Sequence, residues 1–329
     1  MPEQEETGQG EAPKKGCLGC SFPLIIGLAV VFLVLFVVAF AAGPLGSSLL
    51  GDLGLPSWLI VDRPDPKLPA ETVFHLFGFP ITNSIIAAWI TIIFLVGFAY
   101  AVTRRMKLIP GRLQAAFEFL LGWLYDLCCS VAGEKNGRMF FPVIATIFLF
   151  VGFNAWLALL PGFGSITAHV AEGEVHLIRP ANTDINMPLA IALSAVFFVQ
   201  YFGLRTLGRK YIAKFVNISG FFRSTKQVFK GKIGSGLSGM FTGVIEIFVG
   251  FLEGLSELIR VVSFTFRLFG NMTAGEVLLL VAVFLIPWLF ALPFYGLELL
   301  IGFIQAIIFS GLALIFLTLA VSPHEEEAH

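Results

Sequence analysis

A stretch of 49 residues, Ser238 to Ile286, contains no proline and consists mostly of Phe, Leu, Ile and Val, yet it carries Glu246, Glu253, Glu257, Arg260, Arg267 and Glu276. As one helix rising about 1.5 Å per residue it would reach about 74 Å, more than twice the ~30 Å hydrocarbon core of a bilayer. Such a segment must lie steeply tilted or break near a glycine. After Pro287 a second apolar run extends to Val321, with Glu298 as its one charge and Gln305 seven residues further on.

The rest of the chain agrees with a lipid environment. Of 329 residues, 57% are hydrophobic and 13% charged, whereas soluble domains carry about 25% charged residues. Soluble enzymes, nucleic-acid binders and disordered proteins are excluded together. The net charge of −1 says nothing about partners, because the charges are segregated along the chain.

The predicted fold class is an all-α polytopic membrane protein. Residues 1–21 read as a disordered tail, and 22–42 as a 21-residue uncharged anchor. That run exceeds the ~7–15 apolar residues of a cleavable signal, although Ala41-Ala42-Gly43 would also fit a cleavage site. Residues 43–82, with Gly43-Pro44 and six charges, form an extramembrane loop. Residues 83–322 hold the remaining spans, beginning at about 84–102, 140–160 and 188–204, and 323–329 is an acidic tail. Between the first two of those spans, Arg112–Val131 is amphipathic and is expected to lie on the surface or pack on the bundle.

Basic residues cluster at 104–112 and again at 205–232, where eight basic residues occur without an acidic one. The positive-inside rule places both clusters in the cytoplasm with Lys14 and Lys15, and 43–82 and 161–187 outside. Both termini are then cytoplasmic if the first span is retained.

A charge near the middle of a membrane helix costs about 2.5–3.5 kcal/mol on insertion scales, so such residues point to function. Glu246, Glu253, Arg260 and Arg267 recur every seven residues as one drifting stripe. Glu253, Glu257 and Arg260 also fit a neutralising cluster near the cytoplasmic surface. Arg267 is different, since Glu257 and Glu276 lie ten and nine residues away, beyond intrahelical pairing. Its face holds Ser256, Ser263, Gly270 and Ala274, small enough to admit another helix. Arginine does not lose its proton, so Arg267 is read as a fixed charge rather than a proton carrier. Glu276, Glu298, Gln305 and Asn271 would mark two adjacent antiparallel helices, where carboxylates in a partly wet cleft can relay protons. A static hydrogen-bonding role is the alternative.

The string Phe266-Arg267-Leu268-Phe269-Gly270-Asn271-Met272-Thr273-Ala274-Gly275-Glu276 resembles the signature of subunit a of F-type ATP synthases. Further matches are Asn154 with Leu159-Leu160-Pro161, Pro180 with Thr183-Asp184-Ile185-Asn186, Leu252-Glu253-Gly254, and Gln305-Ala306. Together they cover residues 72–321. The resemblance implies about five family helices plus the extra amino-terminal span, the last two forming a long tilted hairpin against a ring of c subunits. It implies a non-catalytic, ion-translocating stator subunit in the cell's inner membrane, partnered by the c ring, the b subunits of the peripheral stalk and other synthase subunits. Arg267 would face each passing c-subunit carboxylate and separate two aqueous half-channels. Protons would enter near Glu276 and Glu298 and leave near Glu253, with Gln305 across the hairpin from Arg267 and Asn271, Asp184 and Asn186 along the channels. Where some members have His, this chain has Glu298, which leaves a shared proton or cation binding open. The first 68 residues lie outside the resemblance.

A secondary ion transporter with a buried charge pair is the competing class. Such folds show related halves or paired broken helices, whereas here the charges crowd into the carboxyl-terminal third. No cofactor or metal is expected: Cys17 and Cys20 form a single CxxC, and Cys128-Cys129 are adjacent, short of the four ligands of a structural zinc site.

Overall fold

Among the described residues, six helices are long and apolar enough to cross a membrane. The computed structural model describes residues 22–51, 56, 63, 69–104, 106–107, 109–160, 166–170, 173–208, 211–212, 215, 233–287 and 291–322. The expected amino-terminal tail with Cys17 and Cys20, the acidic tail, and most of the basic 205–232 stretch lie outside the described residues. The chain divides into two units, one of residues 1–64 with 281–292, the other of 65–280 with 293–329.

In the first unit, α1 (Phe22–Ala42) is the 21-residue apolar run, followed by the short α2 (Pro44–Leu50). Residues 25–38 of α1 are exposed along their length, as a helix facing lipid would be, while Ala39 and Ala42 are buried. Gly43 turns the chain where it touches the backbone of Leu285. A Cβ there would run into the Leu285 carbonyl, so only glycine fits this corner.

The second unit opens with a hairpin of β1 (Thr72–Leu76) and β2 (Phe79–Thr82), whose Phe77-Gly78 turn has positive φ at both residues. Next come α3 (Asn83–Thr103) and α4 (Arg112–Ala158). A second hairpin pairs β3 (Thr167–Val170) with β4 (Gly173–His176) and leads through a 3₁₀ turn (Ala181–Thr183) into α5 (Asn186–Leu207). The long α6 (Ile233–Leu285) crosses from this unit into the first, and α7 (Ala291–Val321) returns. Hydrophobic periodicity does not reveal the two hairpins, because strands of four or five residues are too short to show alternation.

Two expectations acquire detail. The amphipathic segment beginning at Arg112 does not lie apart from the bundle: α4 breaks at Gly133 (φ 78°) and folds back on itself. The Trp123 ring meets Phe148 at 6.4 Å and Tyr125 meets Phe141 at 5.4 Å, which buries Leu124 and Cys128 in the core. Gly137 lets the two limbs touch, since a Cβ there would strike the backbone of Cys128 and Cys129. The 49-residue run, for its part, lies in one 53-residue helix but for its last residue, Ile286, a helix about 80 Å long at 1.5 Å per residue.

The core of the second unit is formed by α4, α5, α6 and α7 around Phe140, Ile144, Phe309 and Leu317. Small residues bring helices close: a Cβ on Gly302 would press on Ala155, and one on Gly152 would meet Ala306. On α5, Gly203 leaves room for the ring of Tyr211. Gly203→Val is therefore expected to displace that ring and destabilise the protein by ~1–3 kcal/mol, the usual cost of overpacking. Thermal unfolding in detergent checks this; an unchanged midpoint would show that the ring has space to move.

Candidate functional site

The stripe along α6 separates into two parts with different surroundings. Arg260 donates from Nη1 to Glu257 Oε1 at 2.7 Å and stacks on the Phe316 ring of α7 at 3.8 Å. A cation with both a carboxylate and an aromatic face is satisfied within its own chain. Tyr211, beyond the end of α5, belongs to this end of the bundle. Burial pushes its phenol up to about 12, Glu257 and Glu253 push the same way, and Arg260 opposes them. Glu253 is partly buried one turn before Glu257.

Arg267, two turns beyond Arg260, has no such partners. It reaches the Ser263 hydroxyl from Nη2 at 3.4 Å and lies 6.0 Å from the Phe264 ring centre. Among the described residues no carboxylate pairs with it. Its face is open: Ser256, Ser263, Gly270, Asn271 and Ala274 are all exposed, and a Cβ on Gly270 would meet nothing. The adjoining face of the same turns, with Phe264 and Leu268, is buried. The fold thus holds the helix rigidly along that face and presents one uncompensated cation on a lane of small residues.

The α6–α7 hairpin fixes what lies level with that cation. The Phe264 and Phe309 rings meet at 4.7 Å, and a Cβ on Gly275 would fall within the Glu298 carboxylate. Both contacts share one antiparallel register, in which Arg267 falls opposite Ala306, next to Gln305. Gln305 is buried and its Oε1 has no hydrogen-bond partner among the described residues. Glu298 is 6% exposed, and its Oε2 likewise lacks a partner.

Glu276 does not meet Glu298 through its side chain. It accepts from Nη2 of Arg179 at 3.0 Å, and the same guanidinium donates from Nη1 to the Pro69 carbonyl at 3.1 Å. Asp184 is buried and joins three segments: it accepts from Ser84 Oγ of α3 at 2.7 Å, and from the backbone and side-chain nitrogens of Asn186 at 3.2 and 3.0 Å. Asn154 of α4 donates to Thr91 of α3 at 3.1 Å. Near them Asn182 is fully buried, with both amide atoms unpartnered among the described residues. Arg179, Ser84, Gly275 and Asn182 join these residues without a motif in the sequence that singles them out as site residues. Arg179 reads in sequence as one more loop charge, and its only local signal is its place directly before Pro180.

A cavity of about 480 Å³ between α4 and α5 is lined by Pro142, Thr146, Phe150, Met187, Ser194 and other residues, none of them charged. No cluster of His, Cys, Asp and Glu suited to a metal occurs among the described residues.

Six apolar helices, one carrying an unpaired arginine between buried carboxyl and amide groups, define a multi-pass membrane protein built around charge. Residues 85–318 match the family model described as ATP synthase A chain, and the chain belongs to that family. It is 35% identical over 248 residues to ATP synthase subunit a of Gloeobacter violaceus, covering 74% of this chain and 85% of that protein. Similarity to subunit a of Moorella thermoacetica is 28% over 257 residues, covering 78% and 98% respectively. Subunit a 1 of Syntrophotalea carbinolica is 31% identical over 242 residues, covering 74% and 85%.

Proposed function

We propose that the chain is the proton-conducting stator subunit of the Fo sector of an F-type ATP synthase, with Arg267 as the fixed charge facing a c-subunit carboxylate on a rotating ring. Its family membership makes it a component that works within the ATP synthase complex. The carrying observation is Arg267 itself, a cation on an exposed lane of small residues with no carboxylate among the described residues. A charge so placed in lipid calls for an acid on another chain. It would hold that acid deprotonated as it passes and block direct ion leakage between two half-channels.

In this reading protons enter by Glu276 and Glu298 at the end of the bundle bearing the two hairpins, and leave at the other end by Glu253. Gln305 and Asn271 flank Arg267, while Asp184 and Asn186 order the entry side. The hairpin end faces outward and the basic clusters face the cytoplasm, in the inner membrane, with b subunits holding the stator. In this reading the chain translocates ions, and the chemistry of ATP falls to other subunits. The lack of related halves weighs against a secondary transporter.

The reading is tested in inverted vesicles carrying the variant complex. Arg267→Ala pumping at the wild-type rate would sink it. Glu276→Gln is expected to slow proton conduction about tenfold with the complex intact, the scale on which a single proton-handling group acts. Normal conduction in that variant would remove Glu276 from the entry region.

A further inference from the structure

The cavity between α4 and α5 is a slot with one wall from each helix. Met187, Ile191, Ser194 and Phe198 line it on α5, and Pro142, Thr146 and Phe150 on α4, each set spaced three or four residues apart as one helix face requires. Both hydroxyls in these walls are already spent. Thr146 donates to the Pro142 carbonyl at 2.7 Å and Ser194 to the Ala190 carbonyl at 2.8 Å. With no charge in the lining, the slot offers a ligand hydrocarbon contact and nothing else. Past Phe198 the helices close on each other: Phe198 stacks on Phe202 at 6.4 Å, and Phe202 meets Phe140 at 5.3 Å in the buried core. Thr146, Ala190 and Ser194 are exposed, so the slot is open along its side.

We propose that this slot binds one acyl chain of a phospholipid from the leaflet on the side of the two hairpins. It depends only on the membrane spans and stands apart from the half-channel reading. The dimensions select the occupant. From Met187 to Phe198, α5 rises about 16 Å at 1.5 Å per residue. That is half of the ~30 Å hydrocarbon core, the depth of one leaflet. The slot begins at Met187, one residue after α5 starts, so its mouth lies level with the headgroups of that leaflet. A volume of about 480 Å³ divided by about 16 Å leaves a cross-section of about 30 Å², roughly 6 Å across. A helix of a neighbouring chain is about 10–12 Å wide and is too broad, whereas a single hydrocarbon chain fits. A polar ligand would find no partner for its own donors and acceptors. Lipid tails are as apolar as the walls, so the chain is held by packing rather than by transfer out of water. Filling the slot supplies dispersion contacts that its walls would otherwise lack.

The test uses the assembled complex in vesicles containing a phosphatidylglycerol with a photoactivatable diazirine on one acyl chain. One probe carries the diazirine near the carboxyl end and a second near the terminal methyl, and labelled peptides are identified by mass spectrometry. The first is expected to label around Met187 and Phe150, the second around Phe198 and Pro142, each above the lipid-exposed Leu193 and Phe197 of α5. Ser194→Trp, which sets a ring in the slot, is expected to lower that labelling about tenfold, because close-packed atoms cannot share the space. Leu193→Trp, outside the lining, should leave it within about twofold of wild type. Ala190→Phe fills the slot from another position if Ser194→Trp does not assemble, and the wild-type pattern needs no variant at all. Labelling of the slot no stronger than that of the exposed face overturns the proposal, as does labelling unchanged by the filling variants. The reverse order of the two probes would place the headgroup at the wrong end and overturn the choice of leaflet. Labelling by a diazirine fatty acid but not by the phospholipid would overturn the choice of ligand. Slot peptides that stay unlabelled in the complex would mean that a neighbouring chain covers them, and this too overturns it.

Discussion

Arg267→Ala is expected to reduce ATP-driven proton pumping roughly 100-fold or more while the complex still assembles, the scale on which loss of a preorganised electrostatic group acts. The reason is its isolation. Neither Ser263 at 3.4 Å nor the Phe264 ring at 6.0 Å neutralises the guanidinium, so its field is available to an acid on a neighbouring chain. Arg267→Lys should keep more function than Arg267→Ala if charge alone matters, although an ammonium lacks the planar fork and can lose its proton. Equal loss in both would assign the role to guanidinium geometry. The measurement is quenching of a pH-sensitive dye in inverted vesicles, with subunit stoichiometry checked on the purified complex. Arg260→Ala is the contrast, since Arg260 is already paired with Glu257 and stacked on Phe316. A loss there as deep as at Arg267 would argue that helix integrity, not the exposed charge, is what pumping senses.

Gly275→Ala should produce the second large effect, a fall in conduction of roughly 10- to 100-fold, as displacements of about 1 Å at a reacting group commonly do. The Glu298 carboxylate occupies the position that a Cβ on residue 275 would need. Backbone cannot yield on the α6 side without bending the helix, so the carboxylate must move. Shortening it by one methylene restores the space: Gly275→Ala/Glu298→Asp is expected to conduct better than Gly275→Ala alone. Equal conduction in wild type and Gly275→Ala would mean that the position of the Glu298 carboxylate is not critical. Proton flux and a thermal midpoint measured on the same preparation separate displacement of the acid from loss of the fold.

Much of this protein is legible along the chain, and the reasons are local. Spans such as Phe22–Ala42 and Asn83–Thr103 are legible because transfer into hydrocarbon depends on the residues of the segment itself. Arg267 stands out because a cation ten residues from the acid before it and nine from the one after cannot be paired within its own helix. The division of the stripe is less visible. Arg260 and Arg267 occupy equivalent positions in the repeat; Glu257, three residues before Arg260, is legible in the sequence, whereas the ring of Phe316 from α7 that completes the satisfied cation's surroundings is not.

Other relations depend on chain segments far apart in sequence. Arg179 and Glu276 are 97 residues apart, Ser84 and Asp184 are 100, and no spacing rule connects residues on different helices. The helical hairpin in α4 turns on Gly133, whose positive φ resembles any other glycine until the backbone is traced.

The sequence by itself therefore determined that the chain lives in lipid, which helices cross, and which cation has no partner at helical spacing, because burial cost and helical periodicity are properties of a segment. The tertiary structure decided which acid is tied and which is left: packing places Arg179 on Glu276 and Glu298 against Gly275. In a low-dielectric interior the company a carboxyl keeps sets what it can do with a proton, and that company comes from other helices.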